Sequence, residues 1–311
     1  MEEKIEQEAQ NTYPHKSLEK IENNRKVFYD DYSKHNKYKT LIFIGVIILM
    51  FGAWIGFPNI FKDNAGLSTG FMIGTTIICL LAIFLFGRYV RNKFEKKLGP
   101  YFSDYFNSVN EYVFEDKDFS EVKLQDPGKI TLEEFNECRL YKDVIESGSR
   151  GLTKFKYKGD EYSVVDCAGN IRGEKSMKPV FVGKMLRGSA KYEGDIPVFI
   201  YLKGNERALP PTAAKEVTNV FEDQKMVVYT EYKDWKKVVN NKVMAALNAI
   251  NTNALLVDVA VAVYNSKLFI MMGYDDPLMV LPLQNTFDTK PTEQYKTEMV
   301  DICKLAEALN K

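Results

Sequence analysis

The segment from Gly169 to Ser176 has residue types and a spacing close to those of a phosphate-binding loop. It reads Gly-Asn-Ile-Arg-Gly-Glu-Lys-Ser and follows a stretch with strand character. A phosphate loop needs glycine directly before its lysine, and then a helix whose N-terminus holds the phosphate. Here Glu174 occupies that glycine position and would repel phosphate, while Pro179 and the β-rich run Val180-Phe-Val182 argue against a helix. We therefore interpret this segment as a polar loop between strands.

Three pairs of adjacent acids could in principle supply general acid and base groups. They are Asp160-Glu161, Glu222-Asp223 and Asp275-Asp276. Acid–base catalysis needs two carboxylates that face one substrate, whereas adjacent acids in turns are usually solvated. The third pair precedes a proline, which is typical of a turn. We expect none of the three pairs to be catalytic.

Histidine and cysteine point to no further catalytic chemistry. The only histidines, His15 and His35, lie in the N-terminal arm, so the large C-terminal region has none for a Ser–His or Cys–His pair or for a histidine-bound metal. The cysteines, which have no paired spacing, are Cys79, Cys138, Cys167 and Cys303. We expect them to be small buried hydrophobic residues. Neither a cofactor nor a metal site nor a disulfide framework is predicted.

Two uncharged apolar segments lie close together near the start of the chain. They are Leu41–Phe57 and Phe71–Gly87, each about 17 residues long, which is the lower end of what spans a bilayer as a helix. Only a helix satisfies its own backbone groups in such an environment. The pattern predicts a two-span transmembrane hairpin with the lipid bilayer as its first partner. The alternative is a buried hairpin of a soluble protein.

Basic residues that precede the first segment and follow the second predict the orientation of the hairpin. The residues expected to set it are Lys37, Lys39, Arg88, Arg91 and Lys93. The connection between the segments holds only Lys62, which Asp63 offsets. Because basic residues next to membrane helices stay cytoplasmic, we expect a cell-membrane protein with both termini in the cytoplasm.

Glycines at a spacing of four residues lie near the outer end of each apolar segment. They are Gly52 and Gly56 in the first segment and Gly70 and Gly74 at the second. An antiparallel hairpin brings them to similar depth, and small residues four apart let helix backbones approach closely. We predict that they form a contact within one chain. The alternatives are a dimer face, or glycines that are merely frequent in membrane helices.

The chain divides into four regions. Residues 1–40 form a charged arm with a juxtamembrane amphipathic helix, 41–87 the hairpin, 88–123 juxtamembrane helices, and 124–311 a cytoplasmic domain. We expect the first 14 residues or so to be disordered, the juxtamembrane helices to pack together, and Gly99-Pro100 to break or kink a helix. The 42 basic and 42 acidic residues balance, so the composition gives no electrostatic case for nucleic acid.

The C-terminal region has the pattern of a mixed α+β domain with mainly antiparallel strands. A capping box at Thr131–Glu134 predicts a helix that reaches Ile145. Compact turns at Lys158–Asp160 and Asn265–Lys267 predict two hairpins. Further strands are expected at 180–182, 196–202 and 226–230, and further helices at 210–221, 235–250 and from Pro291. The sheet aromatics are expected in the core, with ligand stacking as the alternative; they include Tyr157, Tyr162, Phe181, Phe199 and Tyr201.

Four stretches resemble a bacterial family catalogued as domain of unknown function 3137. In order they are Pro179–Leu186, Val220–Val228, Lys242–Leu247 and Lys267–Met272, within a similarity that covers most of residues 40–310. The resemblance implies two close transmembrane helices before a cytoplasmic domain. It implies no activity, cofactor or site residue. One departure is Arg187, which stands where members often carry an acidic residue.

Three functional hypotheses follow from these observations. The first is a membrane-anchored interaction or scaffold module that binds a protein. The second is a membrane-tethered enzyme that uses carboxylates, lysines or tyrosines on lipid-derived or envelope substrates. The third is a structural subunit of a hetero-oligomeric membrane assembly. Homo-oligomers are compatible with each. A pocket of converging charged side chains would favour the enzyme, and a flat apolar patch would favour the module.

Overall fold

A computed structural model describes most of the chain and divides it into two compact units. The described residues are 13–125, 128–174, 176–204, 211–212, 216–250, 252, 256–274, 281–283 and 285–311. The helical unit contains residues 20–104 and 282–287, and the sheet unit contains residues 105–281, 288–311 and the segment before residue 20. The acidic pair Asp275-Asp276 and most of the segment expected to be disordered lie outside the described residues.

Both predicted spans lie within long helices. Helix α1 is Lys16–Ile60 and helix α2 is Ala65–Val113. Each contains a stretch that is long and apolar enough to cross a membrane, and these stretches are 0% and 6% buried. The core helix of a soluble protein would be mostly buried, so this exposure disfavours the soluble-hairpin alternative.

The ends of α1 and α2 near the short connection pack through aromatic rings. The Phe71 ring lies 5.4 Å from that of Phe57 and stacks on that of Phe61 at 5.2 Å. Further from the connection, the Trp54 indole Nε1 donates a hydrogen bond to Thr76 Oγ1 at 3.1 Å. These contacts join the two apolar helices into a hairpin.

The helical segments that flank the apolar stretches also pack together, which confirms one prediction. The Phe28 ring lies 5.2 Å from Phe94 and stacks on Tyr101 at 4.4 Å. Lys97 donates a hydrogen bond to Asp31 and thereby lowers the pKa of that carboxyl group. The helix does not break at Gly99-Pro100, because Pro100 lies inside α2, and the kink expected as the alternative stays a prediction.

Nine strands form the single sheet described for the sheet unit. They are β1 Phe119–Leu124, β2 Val144–Tyr157, β3 Asp160–Arg172, β4 Met177–Ser189, β5 Val198–Leu202, β6 Asn219–Glu222, β7 Met226–Tyr229, β8 Leu256–Tyr264 and β9 Lys267–Tyr274. Their spatial order is β1-β2-β3-β4-β9-β8-β5-β7-β6, and each neighbouring pair is antiparallel. The predicted mainly antiparallel α+β architecture is confirmed for the described residues.

Both predicted hairpins form, with turns that suit the twist of the strands. The β2–β3 hairpin turns at Lys158 and Gly159, whose φ angles are 49° and 95°. The β8–β9 hairpin turns at Asn265 and Ser266, with φ angles of 47° and 58°. Two central residues of positive φ are the condition for the tight turn that matches right-handed strand twist.

Helices cover parts of both faces of the sheet. Helix α5, Lys290–Asn310, begins with Pro291 in its first turn and buries the predicted face, including Met299, Ile302 and Cys303. It packs on the face that carries Lys184, whose ammonium lies over the Tyr295 ring. Since successive strand residues alternate, Met185 points to the opposite face, where it packs with the buried Phe135. The predicted core aromatics are all buried.

The predicted helix from Thr131 to Ile145 is much shorter. Thr131 and Glu134 form the predicted capping box, but helix α3 spans only Leu132–Asn136. Arg139 and Asp143 both have φ of 57°, outside the right-handed helical region. Val144 already pairs with Ile171 of β3, so sheet pairing overrides the helical spacing of the apolar residues.

Other predicted boundaries also moved. The long face predicted from Trp235 to Ile250 splits into a 3₁₀ helix, Trp235–Lys237, and helix α4, Asn241–Ala249. The Asn240 side chain accepts hydrogen bonds from two backbone N–H groups and starts α4 anew. The end of the helix predicted at 210–221 is part of β6, and its middle lies outside the described residues. Strand β1 belongs to the sheet, although the sequence placed it in the juxtamembrane region.

Candidate functional site

A groove of about 490 Å³ crosses one face of the sheet at strands β1, β2, β3, β4 and β9. Its charged lining consists of Lys123, Lys154, Lys156, Arg187, Lys267, Glu121, Glu137 and Glu161. Five cationic and three acidic side chains leave a net of two positive charges. The volume lies within the range of roughly 300–1,000 Å³ that is usual for small-molecule sites.

Two of these lysines face each other. Lys123 of β1 is the register partner of Lys154 of β2, so their side chains stand on the same face. Both side chains are exposed, and neither ammonium group forms an ion pair among the residues that the structure describes. The Glu121 carboxylate, which is paired with Lys156, attracts Lys123 from beyond ion-pair distance. Like charges directly opposite each other destabilise an antiparallel pair. The arrangement therefore costs stability in the unliganded protein.

A β-bulge in the edge strand creates this apposition. Ser120 pairs with Lys156, and the register then shifts so that Lys123 pairs with Lys154. Without the extra residue, Lys123 would pair with Thr153 and point to the other face. Glu121 lies within the bulge with φ of 51°, an uncommon conformation for a residue other than glycine. Bulges often re-aim a side chain at a functional site.

The two lysines continue into a row across the sheet. Lys154 is opposite Ser163 of β3, and Ser163 is opposite Arg187 of β4. Neighbouring strands lie about 4.8 Å apart, so the backbone of Arg187 is roughly 10 Å from that of Lys154. Three cations and one hydroxyl thus lie side by side in what we call the cationic row.

Ion pairs border the cationic row. Lys156 Nζ donates to Glu121 Oε1 at 2.7 Å, which lowers the pKa of that carboxyl group, and it lies 4.0 Å from Glu161. Lys267 donates to Glu137. Since Arg187 of the row is itself paired with Glu134, the positive charge without an ion pair lies on Lys123 and Lys154.

Glu134 couples helix α3 to the end of this row. Its Oε2 accepts from the backbone N–H of Thr131 at 2.7 Å, as the capping box requires, and its Oε1 accepts from Arg187 Nη1 at 3.1 Å. The hydrogen bond from the Thr131 backbone is the main cause of the lowered pKa of Glu134, and the hydrogen bond from Arg187 lowers it further. The helix cap therefore positions the guanidinium group.

A second cavity, of about 240 Å³, opens on the face that α5 covers. Arg150, Asp166, Lys184 and Tyr274 line it. Lys184 is 3% exposed, donates to Asp166, and lies with its ammonium 4.4 Å from the centre of the Tyr295 ring. Burial lowers the pKa of Lys184, and the Asp166 carboxylate opposes that shift.

The polar groups around the second cavity are mutually satisfied. Arg150 Nε lies 3.8 Å from Asp166 Oδ2, so Asp166 faces two cations. Tyr274 donates its hydroxyl proton to Glu298 of α5 at 2.7 Å, and Gln294 donates to the same carboxylate. We interpret these contacts as a polar brace between the sheet and α5.

One further acid, which is half-buried, lies on the face opposite α5. Burial raises the pKa of Asp258 in β8 to about 6, and a hydrogen bond from the backbone of Gly273 partly offsets this. A Cβ atom at Gly273 would lie 2.2 Å from Asp258 Oδ1, so any larger residue there would displace this carboxylate. Burial raises the pKa values of Tyr141 and Tyr201, and the negative charge of Asp258 adds to both shifts.

The glycines predicted to pack in the hairpin have open surroundings. A Cβ atom built on Gly52, Gly56, Gly70 or Gly74 would meet no atom within 4 Å. The single chain therefore does not show the close backbone contact that we predicted, because the helices meet through larger side chains such as Trp54. A dimer face at these glycines stays a prediction.

The other sequence candidates occupy separate places. All the basic residues that are expected to set the orientation are exposed. One of them, Arg91, forms an ion pair with Glu95 at 2.8 Å. Glu222 accepts from Lys203 at 2.7 Å, and Asp223 accepts from the backbone of Met226 at 2.7 Å. The polar loop predicted around Glu174 joins β3 to β4, so a strand follows it instead of a helix. The four cysteines are buried and free, as predicted.

The cationic row was missed at the sequence level. The alternation Lys154-Phe155-Lys156 predicts a strand with one charged face, and this was the available signal. The pairing of that strand with β1 and the bulge at Glu121 depend on contacts distant in the sequence.

Comparison with known proteins gives little guidance. No family model matches the chain, and no curated protein is similar to it. Among solved structures, the mycobacterial trehalose monomycolate transport factor A, TtfA, matches at a TM-score of 0.37 and 8% identity, covering 66% of this chain and 94% of that one. At so low a TM-score, the likeness assigns neither a fold family nor a function to this chain.

Proposed function

We propose that this chain is a membrane-anchored binding module, in which α1 and α2 hold a sheet domain that binds its partner through the cationic row. The observation that carries the proposal is the apposition of Lys123 and Lys154. A bulge with an uncommon backbone conformation brings these charges together, and neither ammonium group forms an ion pair among the described residues, although the Glu121 carboxylate attracts Lys123. Destabilising features of this kind are typical of functional sites.

Exposure of the apolar helices supports the anchor. Side chains such as Leu49, Ile55 and Ile78 are 68–69% exposed, which is unfavourable in water and favourable in lipid. The basic flanks support an orientation with both termini in the cytoplasm. Confinement to a membrane raises the effective concentration of a weak partner at the same surface, so an anchor suits a binding domain.

Cysteine labelling tests the anchor and its orientation. A membrane-impermeant thiol reagent should label Asp63→Cys in intact cells and should label Asn310→Cys only after permeabilisation. Asp63 is chosen because the neighbouring Asn64 side chain caps α2. The native cysteines are buried and give a low background. The reverse labelling pattern contradicts the orientation.

Affinity purification tests the binding surface. The full chain is extracted from membranes, and copurifying proteins and small molecules are compared between two variants. Lys123→Gln/Lys154→Gln changes the cationic row, while Lys233→Gln/Lys242→Gln makes the same charge change at exposed positions elsewhere. We expect the first variant to lose a partner that the second retains. Identical partners in both variants contradict a role for the row.

The second cavity favours one alternative, the membrane-tethered enzyme. It brings Arg150, Asp166, Lys184 and Tyr274 together, which is the convergence of ionisable groups that such an enzyme needs. These groups already bond to one another, so we rank this function below the binding module. Reproducible turnover of a substrate by the full chain, abolished by Asp166→Asn with folding intact, would establish the enzyme.

A further inference from the structure

We propose that the cationic row binds a small ligand through two linked phosphate groups, as in a pyrophosphate or an organic diphosphate. This inference rests on the proposed binding function and specifies the chemistry of its ligand. It follows from the charge, spacing and borders of the row.

The opposed lysines need a multiply charged anion between them. Lys123 and Lys154 are neighbours across the β1–β2 pair, and neither forms an ion pair among the described residues, although Glu121 attracts Lys123 from beyond ion-pair distance. A carboxylate has one negative charge, whereas a phosphate group carries about −1.5 to −2 and three acceptor oxygens. One phosphate group can therefore neutralise both ammonium groups at once, which turns a repulsive pair into a binding site.

Arg187 is placed for a second phosphate group. It lies two strands beyond Lys154 in the same row, with the hydroxyl residue Ser163 between them. Its Nη1 donates to Glu134, and its side chain is 20% exposed. Because a guanidinium group has five N–H donors, others are left for an anion. Linked phosphates span the distance between the lysines and the arginine better than a single phosphate does.

The borders of the row favour a small ligand over a long polyanion. On one side, the face continues into the apolar core around Met185 and Phe135. On the other side lie Glu121 and Glu161 with Lys156, and Glu137 with Lys267. A nucleic acid or an acidic peptide that extended past the row would meet these carboxylates. The positive field is therefore confined to an area that suits the groove volume of about 490 Å³.

Binding of inorganic pyrophosphate to the full-length protein in zwitterionic nanodiscs tests this inference. We expect calorimetry to show tighter binding of pyrophosphate than of orthophosphate, and weaker binding as salt rises. Lys123→Gln/Lys154→Gln should lose affinity at least tenfold, whereas Lys233→Gln/Lys242→Gln should stay within twofold of the parent. The unliganded row variant should melt no lower than the parent, because the repulsion between the lysines is gone. If that variant unfolds, Lys154→Gln alone is compared.

The remaining outcomes are decisive. Equal affinity losses in both double variants, or no preference for pyrophosphate, would overturn the inference by showing charge attraction alone. Binding of an acidic peptide or an RNA without binding of pyrophosphate would also overturn it. If the protein does not bind pyrophosphate but Lys123→Gln/Lys154→Gln still loses a copurified partner, only the ligand class is wrong. If pyrophosphate does not bind and the variant loses no partner, the proposed function is wrong as well. If phosphatidic acid in the nanodisc competes with pyrophosphate, the natural ligand is a lipid. If it does not compete, the natural ligand is soluble.

Discussion

Replacing Asp258 by asparagine should stabilise the sheet unit at neutral pH but not at acidic pH. The ordinary pKa of this carboxyl group is 3.8, and burial raises it to about 6 in the folded protein. Between these values the folded state keeps the proton and the unfolded state loses it, so stability falls as the pH rises. Each pKa unit corresponds to about 1.4 kcal/mol, so ionisation of Asp258 costs about 3 kcal/mol at most above pH 6.

Denaturation of the full chain in detergent, followed by tryptophan fluorescence, measures this effect. The chain has two tryptophans, and Trp54→Phe leaves Trp235 of the sheet unit as the sole reporter. In that background, Asp258→Asn should raise the free energy of unfolding by up to about 3 kcal/mol near pH 7.5 and by much less near pH 4. The asparagine side chain can still accept the hydrogen bond from Gly273. A gain that is equal at both pH values, or a loss near pH 7.5, would refute the assigned pKa.

Three other perturbations have defined outcomes. Lys184→Met should lower the free energy of unfolding of the sheet unit by about 3 kcal/mol, because it leaves Asp166 without its buried partner. Lys184→Met/Asp166→Leu should regain most of that stability, and denaturation measures both variants. Lys154→Glu should raise the unfolding free energy by roughly 0.2–1 kcal/mol at low salt, since it replaces repulsion from Lys123 by attraction; a decrease would contradict the register. Gly52→Leu/Gly74→Leu should leave the melting temperature of the solubilised monomer unchanged, and a change in oligomeric state by light scattering would identify a dimer face.

Local signals in the sequence predicted the elements that local chemistry determines. The uncharged runs, the capping box at Thr131 and the turn at Asn265 each depend on neighbouring residues, and each appears in the structure. Pro291 in the first turn of α5 belongs to the same group. Such features are predictable because their partners lie within a few residues in the chain.

Features that depend on distant partners were not predictable. The helix expected up to Ile145 gives way to β2, because Val144 finds a partner in β3. The single face expected from Trp235 breaks where Asn240 caps a new helix. The cationic row needs the β1–β2 register and the bulge at Glu121, which no periodicity in either strand reveals. The candidate site is thus a property of the assembled sheet.

Occupancy of the groove in native membranes tests the central claim most directly. Ser163→Cys places a thiol in the cationic row and keeps its three cations, and Ser147→Cys is a control at a half-buried position outside the groove. Labelling rates are compared in permeabilised native membranes and after purification in detergent. A membrane-anchored binding module predicts that Ser163→Cys reacts severalfold more slowly in native membranes, while Ser147→Cys reacts equally in both. Equal rates for Ser163→Cys in the two preparations would contradict the claim that the row holds a partner.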